Sequence, residues 1–150
     1  MDWVYKKFEE LSPDELYGIL QLRSAVFVVE QNCVFLDQDD KDQLCHHLFC
    51  IDNGKFIACS RIVPPGISYG ETSIGRVVTS TTRRNEGIGK ILMEKSIEAA
   101  YDLHGQSPLR IGAQLYLKRF YESFGFEQSG EVYIEDDIPH IEMVLRNHVK

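Results

Sequence analysis

No stretch of this sequence stays apolar for long. Nothing approaches the ~18 consecutive apolar residues of a membrane-spanning helix, so no membrane partner is expected. Where a signal peptide would place its apolar core, the chain has Lys6-Lys7 and Glu9-Glu10, and a cytoplasmic location is expected. Cys33, Cys45, Cys50 and Cys59 are too irregularly spaced for a zinc site. In a reducing compartment they read as free thiols. Asp39, Asp40 and Asp42 stand upstream of Cys45-His46-His47, yet no second ligand cluster completes a tetrahedral set, so no metal is expected. No repeat, low-complexity tract or linker divides the chain, and its 150 residues read as one domain, 1–150, large enough to bury a core without staples. Basic residues are the minority, 16 against 23 acidic, for a net charge of −7. That balance argues against nucleic acid as the main partner, while a cationic substrate such as an amine would be attracted.

What the chain does have is concentrated in Val77-Val78-Thr79-Ser80-Thr81-Thr82-Arg83-Arg84-Asn85-Glu86-Gly87-Ile88-Gly89-Lys90. A β-branched run leads through a polar turn into Arg-x-x-Gly-x-Gly-Lys at the head of an amphipathic helix. Unpaired N–H groups and the helix dipole favour an anion there, and glycines let a phosphate approach the main chain. The segment reads as a pyrophosphate cradle. It is not a P-loop, because Arg84 occupies the first glycine position and Ile91 the Ser/Thr position. Nor is it a dinucleotide fingerprint, because Leu92 fills the third glycine position.

The remaining pattern predicts the order β-α-β-β-β-α-β-α-β-β. Val4–Phe8 is an opening strand. Ser12-Pro13-Asp14-Glu15 is a capping box for a helix over Pro13–Phe27. Leu48–Ile51 and Phe56–Val63 flank Asn53-Gly54, a hairpin signal. Ser73–Thr79 enters the cradle, and a helix runs from Gly87 to about His104-Gly105, where glycine stops it. Leu109–Ala113 follows as a strand, Leu115–Phe124 as a helix ended by Gly125, and Phe126–Ile134 and Ile141–Leu145 as strands. The strand–helix–strand unit around Gly87–Leu103 implies parallel neighbours, while the rest is hairpin-like, so a mixed sheet is expected.

Phe120-Tyr121-Glu122-Ser123-Phe124-Gly125-Phe126 on its own reads as aromatic core plus a helix cap. In its place after the cradle, Tyr-x-x-x-Gly-Phe resembles the second cofactor motif of the GNAT superfamily of N-acetyltransferases, as Arg-x-x-Gly-x-Gly after a Val-rich strand resembles the first. The resemblance is to the ElaA-like branch, carried also by Leu22–Cys33, by Ile74-Gly75-Arg76-Val77, by Gly112-Ala113-Gln114 and by Glu131–Ile141. The chain departs from the wider superfamily at Gln114, where Asn is frequent, at Leu117, where a small residue is frequent, and at Thr81, where proline is common. The resemblance implies a single α/β (α+β) domain with a mixed central sheet, splayed at the cofactor site and flanked by helices. It implies acetyl-CoA as co-substrate and a small-molecule or peptide amine as acceptor, in a monomer or homodimer. A non-catalytic acyl-CoA-binding sensor is the alternative. Cofactor-binding residues are then Val77, Val78, Thr79, Arg84, Asn85, Glu86, Gly87, Ile88, Gly89, Lys90, Gln114 and Tyr121. A bulge at Val77–Thr79 would aim main-chain N–H groups at the thioester carbonyl and open a wedge toward Leu109–Ala113.

Acetyl transfer needs a polarised carbonyl, a proton for the departing thiolate and a neutral amine. Tyr121 suits the second task, since a phenol of pKa ~10 still carries its proton at pH 7, where a thiol of ~8.5 departs as the thiolate. An alkylamine of pKa ~10.4 is almost wholly protonated at pH 7, so a base is expected. Glu30 and His140 are the candidates, with Glu71 a third and Arg23 and Arg76 ordering these carboxylates. Cys33 as an acyl-carrying nucleophile has no base visible beside it in the sequence. The clusters Asp37/Asp39/Asp40/Asp42 and Glu135/Asp136/Asp137 read as solvated loop faces, or else as attractors of a cationic acceptor.

Overall fold

Ser12 opens the first helix through a reciprocal capping box. Its hydroxyl accepts from Glu15 N at 3.1 Å, and its own N–H donates to the Glu15 carboxylate at 2.8 Å. In the computed structural model, which describes residues 1–146, this helix is α1 (Pro13–Arg23), preceded by strand β1 (Asp2–Lys7). The helix does not run on regularly to Phe27 as the apolar spacing suggested. From Ser24 to Glu30 it widens into a π-helical turn, carrying the β-branched Val26, Val28 and Val29, which crowd a regular helix. Turns of this kind gather at functional sites, and here Val26 and Phe27 end up lining the main cavity.

Strands β2 (His46–Asp52) and β3 (Lys55–Val63) form the expected hairpin, with Asn53 at φ +50° and Gly54 at φ +75° in its two-residue turn. Strand β4 (Ser73–Thr79) leads to helix α2 (Ile88–His104), then strand β5 (Leu109–Gln114), helix α3 (Lys118–Glu122), and strands β6 (Glu127–Glu135) and β7 (Ile138–Leu145). The order of elements is the one read from the sequence. The expected helix over Leu115–Phe124 is shorter, a 3₁₀ turn at Leu115–Leu117 followed by α3. Its aromatics pack edge-on, Phe120 against Tyr121 and Phe124 at 5.1 Å, and Gly125 at φ +101° ends the segment. Strand β7 starts earlier than expected and places His140 in the ladder opposite Gln114.

The mixed sheet is built as two antiparallel halves, β1-β2-β3-β4 and β5-β7-β6. They join in parallel at one isolated bridge, Thr72 to Leu109, where Arg110 N donates to Thr72 O at 3.0 Å. Beyond it β4 and β5 part, and the wedge anticipated between Thr79 and Leu109–Ala113 is open. Between the pairs Cys59–Val78 and Arg61–Gly75, β3 advances two residues (59 to 61) and β4 three (75 to 78). The extra residue falls at Arg76–Val77 rather than at Val77–Thr79, because Val78 and Thr79 pair regularly with Cys59 and Ala58. A bulge bends its strand and interrupts the ladder, which lets β4 swing from β5.

Helices cover both faces of the first half, as the period-2 alternation of strand side chains requires. Ile19, Leu22 and Val26 pack on Phe49, Cys59 and Val78, whereas Ile88 and Leu92 of α2 pack on Leu48, Cys50 and Ala58. Gly18 lets α1 approach closely, since a Cβ there would stand 2.4 Å from the Phe56 ring. A larger core joins α2 to the second half through Met93, Ile97, Phe126, Ile141, Met143 and Leu145. Among the described residues no helix is long and apolar enough to cross a membrane.

Candidate active site

The wedge between β4 and β5 holds a cavity of about 550 Å³. Its walls come from β4, the start of α2, β5, α3, the π-helical turn and the turn between β6 and β7. Every residue expected to bind cofactor lines it except Glu86 and Lys90. Glu86 instead pairs with Arg83 at 3.0 Å, and Lys90 is exposed on the outer face of α2.

At the cradle, Asn85 (φ +65°) and Gly87 (φ +78°) turn the chain through the left-handed region into α2. Gly87 is the N-cap, no side chain caps the helix, and its first turn has no acidic residue. The first amides of this 17-residue helix therefore point outward without intrahelical partners. A Cβ on Gly87 would meet nothing within 4 Å, so the approach is open and glycine is demanded by the backbone angle. Arg84 lies beside these amides and grips Glu30, at 2.5 and 2.7 Å, while also donating to Thr79 O at 3.3 Å. Glu30 is thereby held as an ion-pair partner at the rim and is not among the residues lining the cavity. Arg83 is held by Asp52 at 2.8 Å.

Tyr121 stands in the opposite wall, 7 % exposed, edge-on to Phe120 and Phe126. Burial, and beyond it the neighbouring Tyr116, pushes its hydroxyl pKa well above the ordinary phenol value, so the hydroxyl keeps its proton and can donate a hydrogen bond. His140 lines the same cavity. Its Nδ1–H donates to Ile138 O at 2.7 Å, which leaves the Nε2 lone pair free in the neutral ring. The ring stacks on Tyr133 at 5.7 Å, and Nε2 lies 3.6 Å from the Glu135 carboxylate. Gln114 exchanges hydrogen bonds with Gln31 at 3.2 and 3.3 Å, closing β5 onto the end of the π-helical turn.

Other candidates are engaged elsewhere. Glu71 pairs with Arg110 at 3.0 Å. Cys33 lines the cavity and donates to Asp136 O at 3.3 Å. Burial and the charges of Asp136 and Asp137 push its thiol pKa up, the wrong direction for a nucleophilic thiolate. Arg23 and Arg76 do not order Glu30 or Glu71. They belong to an ion network that corrects the reading of Asp37, Asp39 and Asp42 as a solvated face. Arg23, 1 % exposed, binds Asp37 and Asp42 at 2.8 Å, Arg61 binds Asp42 at 2.9 Å and Asp39 at 2.5 Å, and Arg76 binds Asp37 at 2.8 Å. Of the four aspartates only Asp40 is exposed. Burial by itself would raise the Asp42 carboxyl, but Arg23 and Arg61 hold it below the usual range. The arginines lie far away in sequence, so no local pattern announces the pairing. Among the described residues no group of three or more His, Cys, Asp or Glu is arranged for a metal.

The fold, with its sheet split between β4 and β5, agrees with the comparisons to known proteins. Residues 36–147 match the family model of the Acetyltransferase (GNAT) domain. The protein ElaA of Escherichia coli is 41 % identical over 145 residues, 95 % of each chain. This chain belongs to the GNAT family of acetyltransferases. The solved structure of E. coli ElaA superposes with a TM-score of 0.89 at 41 % identity, covering 96 % of this chain and 99 % of that one. An acyl-CoA N-acyltransferase from Pseudomonas aeruginosa does so at 0.91 and 42 %, with the same coverage. A GNAT acetyltransferase from Elizabethkingia anophelis, solved with acetyl-CoA bound, shares the fold at a TM-score of 0.64 and 16 % identity, covering 97 % and 98 %. Against this GNAT frame, the sequence reading passed over Gln31, Arg83 and Phe35 as wall residues. Gln31 and Phe35 belong to a loop whose path depends on the buried arginines.

Proposed function

We propose that this GNAT protein is an acetyl-CoA-dependent N-acetyltransferase, one domain over residues 1–150, working in the cytoplasm on a small-molecule or peptide amine that attacks the thioester directly. The observation that carries this reading is that the uncapped N-terminus of α2, Tyr121 and His140 face one cavity in the wedge between β4 and β5.

In this reading the pyrophosphate of CoA lies on the amides that follow Gly87, assisted by Arg84, and the pantetheine arm passes between β4 and β5. Main-chain N–H groups at the bulge of β4 polarise the thioester carbonyl; preorganised donors of this kind are worth several kcal/mol in the transition state, about 3–4 for a single one. The amine reaches the carbonyl from the side of Gln31 and His140. His140 Nε2 takes its proton, and the hydrogen bond from Nδ1 to Ile138 O fixes the tautomer that makes this possible. Tyr121 delivers a proton to the departing thiolate. Glu30 acts through Arg84 rather than as the base.

The test is release of free CoA from acetyl-CoA in the presence of a panel of amines, followed by mass analysis of the product. Thiol release that depends on an amine, with an acetylated product, supports the proposal. Binding of acetyl-CoA with no thiol release for any amine would favour an acyl-CoA sensor.

A further inference from the structure

Among the described residues, seven non-glycine positions have positive φ: Asn32, Asp40, Asn53, Arg76, Asn85, Asp136 and Asp137. Six of them are asparagine or aspartate, whose short polar side chains tolerate the left-handed region by bonding locally. Arg76, at φ +49°, is the exception, and it sits in the bulge of β4. A long side chain has no local means of stabilising that conformation. Arg76 is held at a distance instead. Its Nε donates to the Asp37 carboxylate at 2.8 Å, and its Nη2 donates to Asp37 O at 2.7 Å and reaches Asp39 at 3.4 Å. Asp37 is itself fixed, 2 % exposed, with its other carboxylate oxygen on the buried Arg23 at 2.8 Å. Arg76 lines the cavity beside Gly75, Val77 and Val78. Backbone held in a disfavoured region by its surroundings is a feature of functional sites.

We infer that Arg76 is a positioning residue: clamped by Asp37, its guanidinium holds the bulge of β4 in the left-handed turn that aims the following main-chain N–H groups at the thioester carbonyl. The inference rests on the reading above, in which acyl-CoA occupies the wedge. The clamp also ties the bulge to the loop carrying Cys33 and Phe35, so the donor wall and the acceptor wall share one anchor. The strain is relieved at no steric cost by glycine, which separates the clamp from the backbone conformation itself.

The experiment is infrared difference spectroscopy of acetyl-CoA carrying ¹³C at the thioester carbonyl, bound to the wild type, Arg76→Gly, Arg76→Gln and Arg76→Lys. CoA affinity by calorimetry and a thermal midpoint are recorded for each. The expected result is a carbonyl band shifted to lower wavenumber on the wild type, lost in Arg76→Gln, partly restored in Arg76→Lys, and largely kept in Arg76→Gly, whose backbone takes the turn without a clamp. CoA itself, which lacks the carbonyl, should bind all four alike. A merely structural role would change the thermal midpoint and CoA affinity together and leave the band of the bound thioester unmoved. A folded Arg76→Gln protein with the wild-type band would overturn the inference, as would an unshifted band in the wild type. Should Arg76→Gly not fold, Arg76→Gln decides. If CoA gives no binding signal with the wild type, the occupancy of the wedge fails first and the inference falls with it, an outcome the calorimetry tells apart from an insensitive band.

Discussion

Arg84 and Glu30, 54 residues apart, face each other with both guanidinium Nη atoms on the two carboxylate oxygens, at 2.5 and 2.7 Å. The pair spans the rim where the cradle meets the end of the π-helical turn. A pyrophosphate arriving on the cradle competes with Glu30 for the same arginine. Glu30→Gln should therefore strengthen CoA binding, by up to about fivefold if the pair is worth the ~1 kcal/mol upper range of an exposed ion pair. Turnover should stay near that of the wild type. Calorimetry with CoA checks the first expectation. A collapse of turnover at unchanged CoA affinity would return Glu30 to the role of base.

Gly87→Asp places a side chain and a negative charge at the N-cap of α2, at a backbone angle of φ +78°. CoA affinity should fall at least ~10-fold, equivalent to about 1.4 kcal/mol. A carboxylate at a helix N-terminus is otherwise favourable, so loss of the fold should not accompany the loss of binding. Titration with CoA together with a circular dichroism melt distinguishes the two.

His140→Gln keeps a polar side chain in the ladder opposite Gln114 and removes the imidazole. If Nε2 accepts the amine proton, turnover should fall ~10²–10⁴-fold while CoA affinity stays unchanged. Near-normal turnover in the variant would place the base elsewhere.

The aspartate–arginine network sets the acid stability. Asp39 and Asp42 are held below their ordinary value of ~3.9: burial opposes this, and the hydrogen bonds and charges of Arg61 for Asp39, and of Arg23 and Arg61 for Asp42, overcome it. Below pH ~3.9 the unfolded chain binds protons that the folded one refuses, so stability rises with pH through that window. The contribution is full above about pH 5 and is lost as the pH falls through the folded values. Denaturant melts between pH 5 and 2 should lose midpoint steeply in the wild type. Asp39→Asn should be less stable than the wild type at pH 7, with the gap closing toward pH 2. A gap independent of pH would contradict the linkage.

Local signals carried the fold well. The Ser12–Glu15 box, the Asn53-Gly54 turn and the stop at Gly105 each act within a few residues, and each element stands where those signals put it. The cradle was legible for the same reason, since its glycines, cations and helix start are contiguous. Two features were not legible. The widening of α1 at Ser24–Glu30 leaves the apolar spacing of a regular helix intact, so that spacing did not reveal it, and the burial of Asp37 and Asp42 depends on arginines from α1, β3 and β4. Charged residues in a loop look solvated until their distant partners are known. The bulge was misplaced by one residue because nothing in Gly75-Arg76-Val77 reveals that the arginine, and not its glycine neighbour, takes the positive φ.

Tyr121→Phe keeps the ring contacts to Phe120 and Phe126 and removes the hydroxyl. If that hydroxyl protonates the leaving thiolate, turnover should drop ~10²–10⁴-fold, while CoA affinity changes little because the ring contact survives. Parallel loss of stability and CoA binding would make the hydroxyl structural.

A crystal structure of the protein with CoA decides whether the wedge between β4 and β5 seats an acyl-CoA with its sulfur at Tyr121. The pyrophosphate should lie on the amides following Gly87, the arm should thread between the parted strands, and the sulfur should come within hydrogen-bond reach of the Tyr121 hydroxyl. CoA bound outside the wedge, or a sulfur out of reach of Tyr121 with the cradle filled, would contradict that seating.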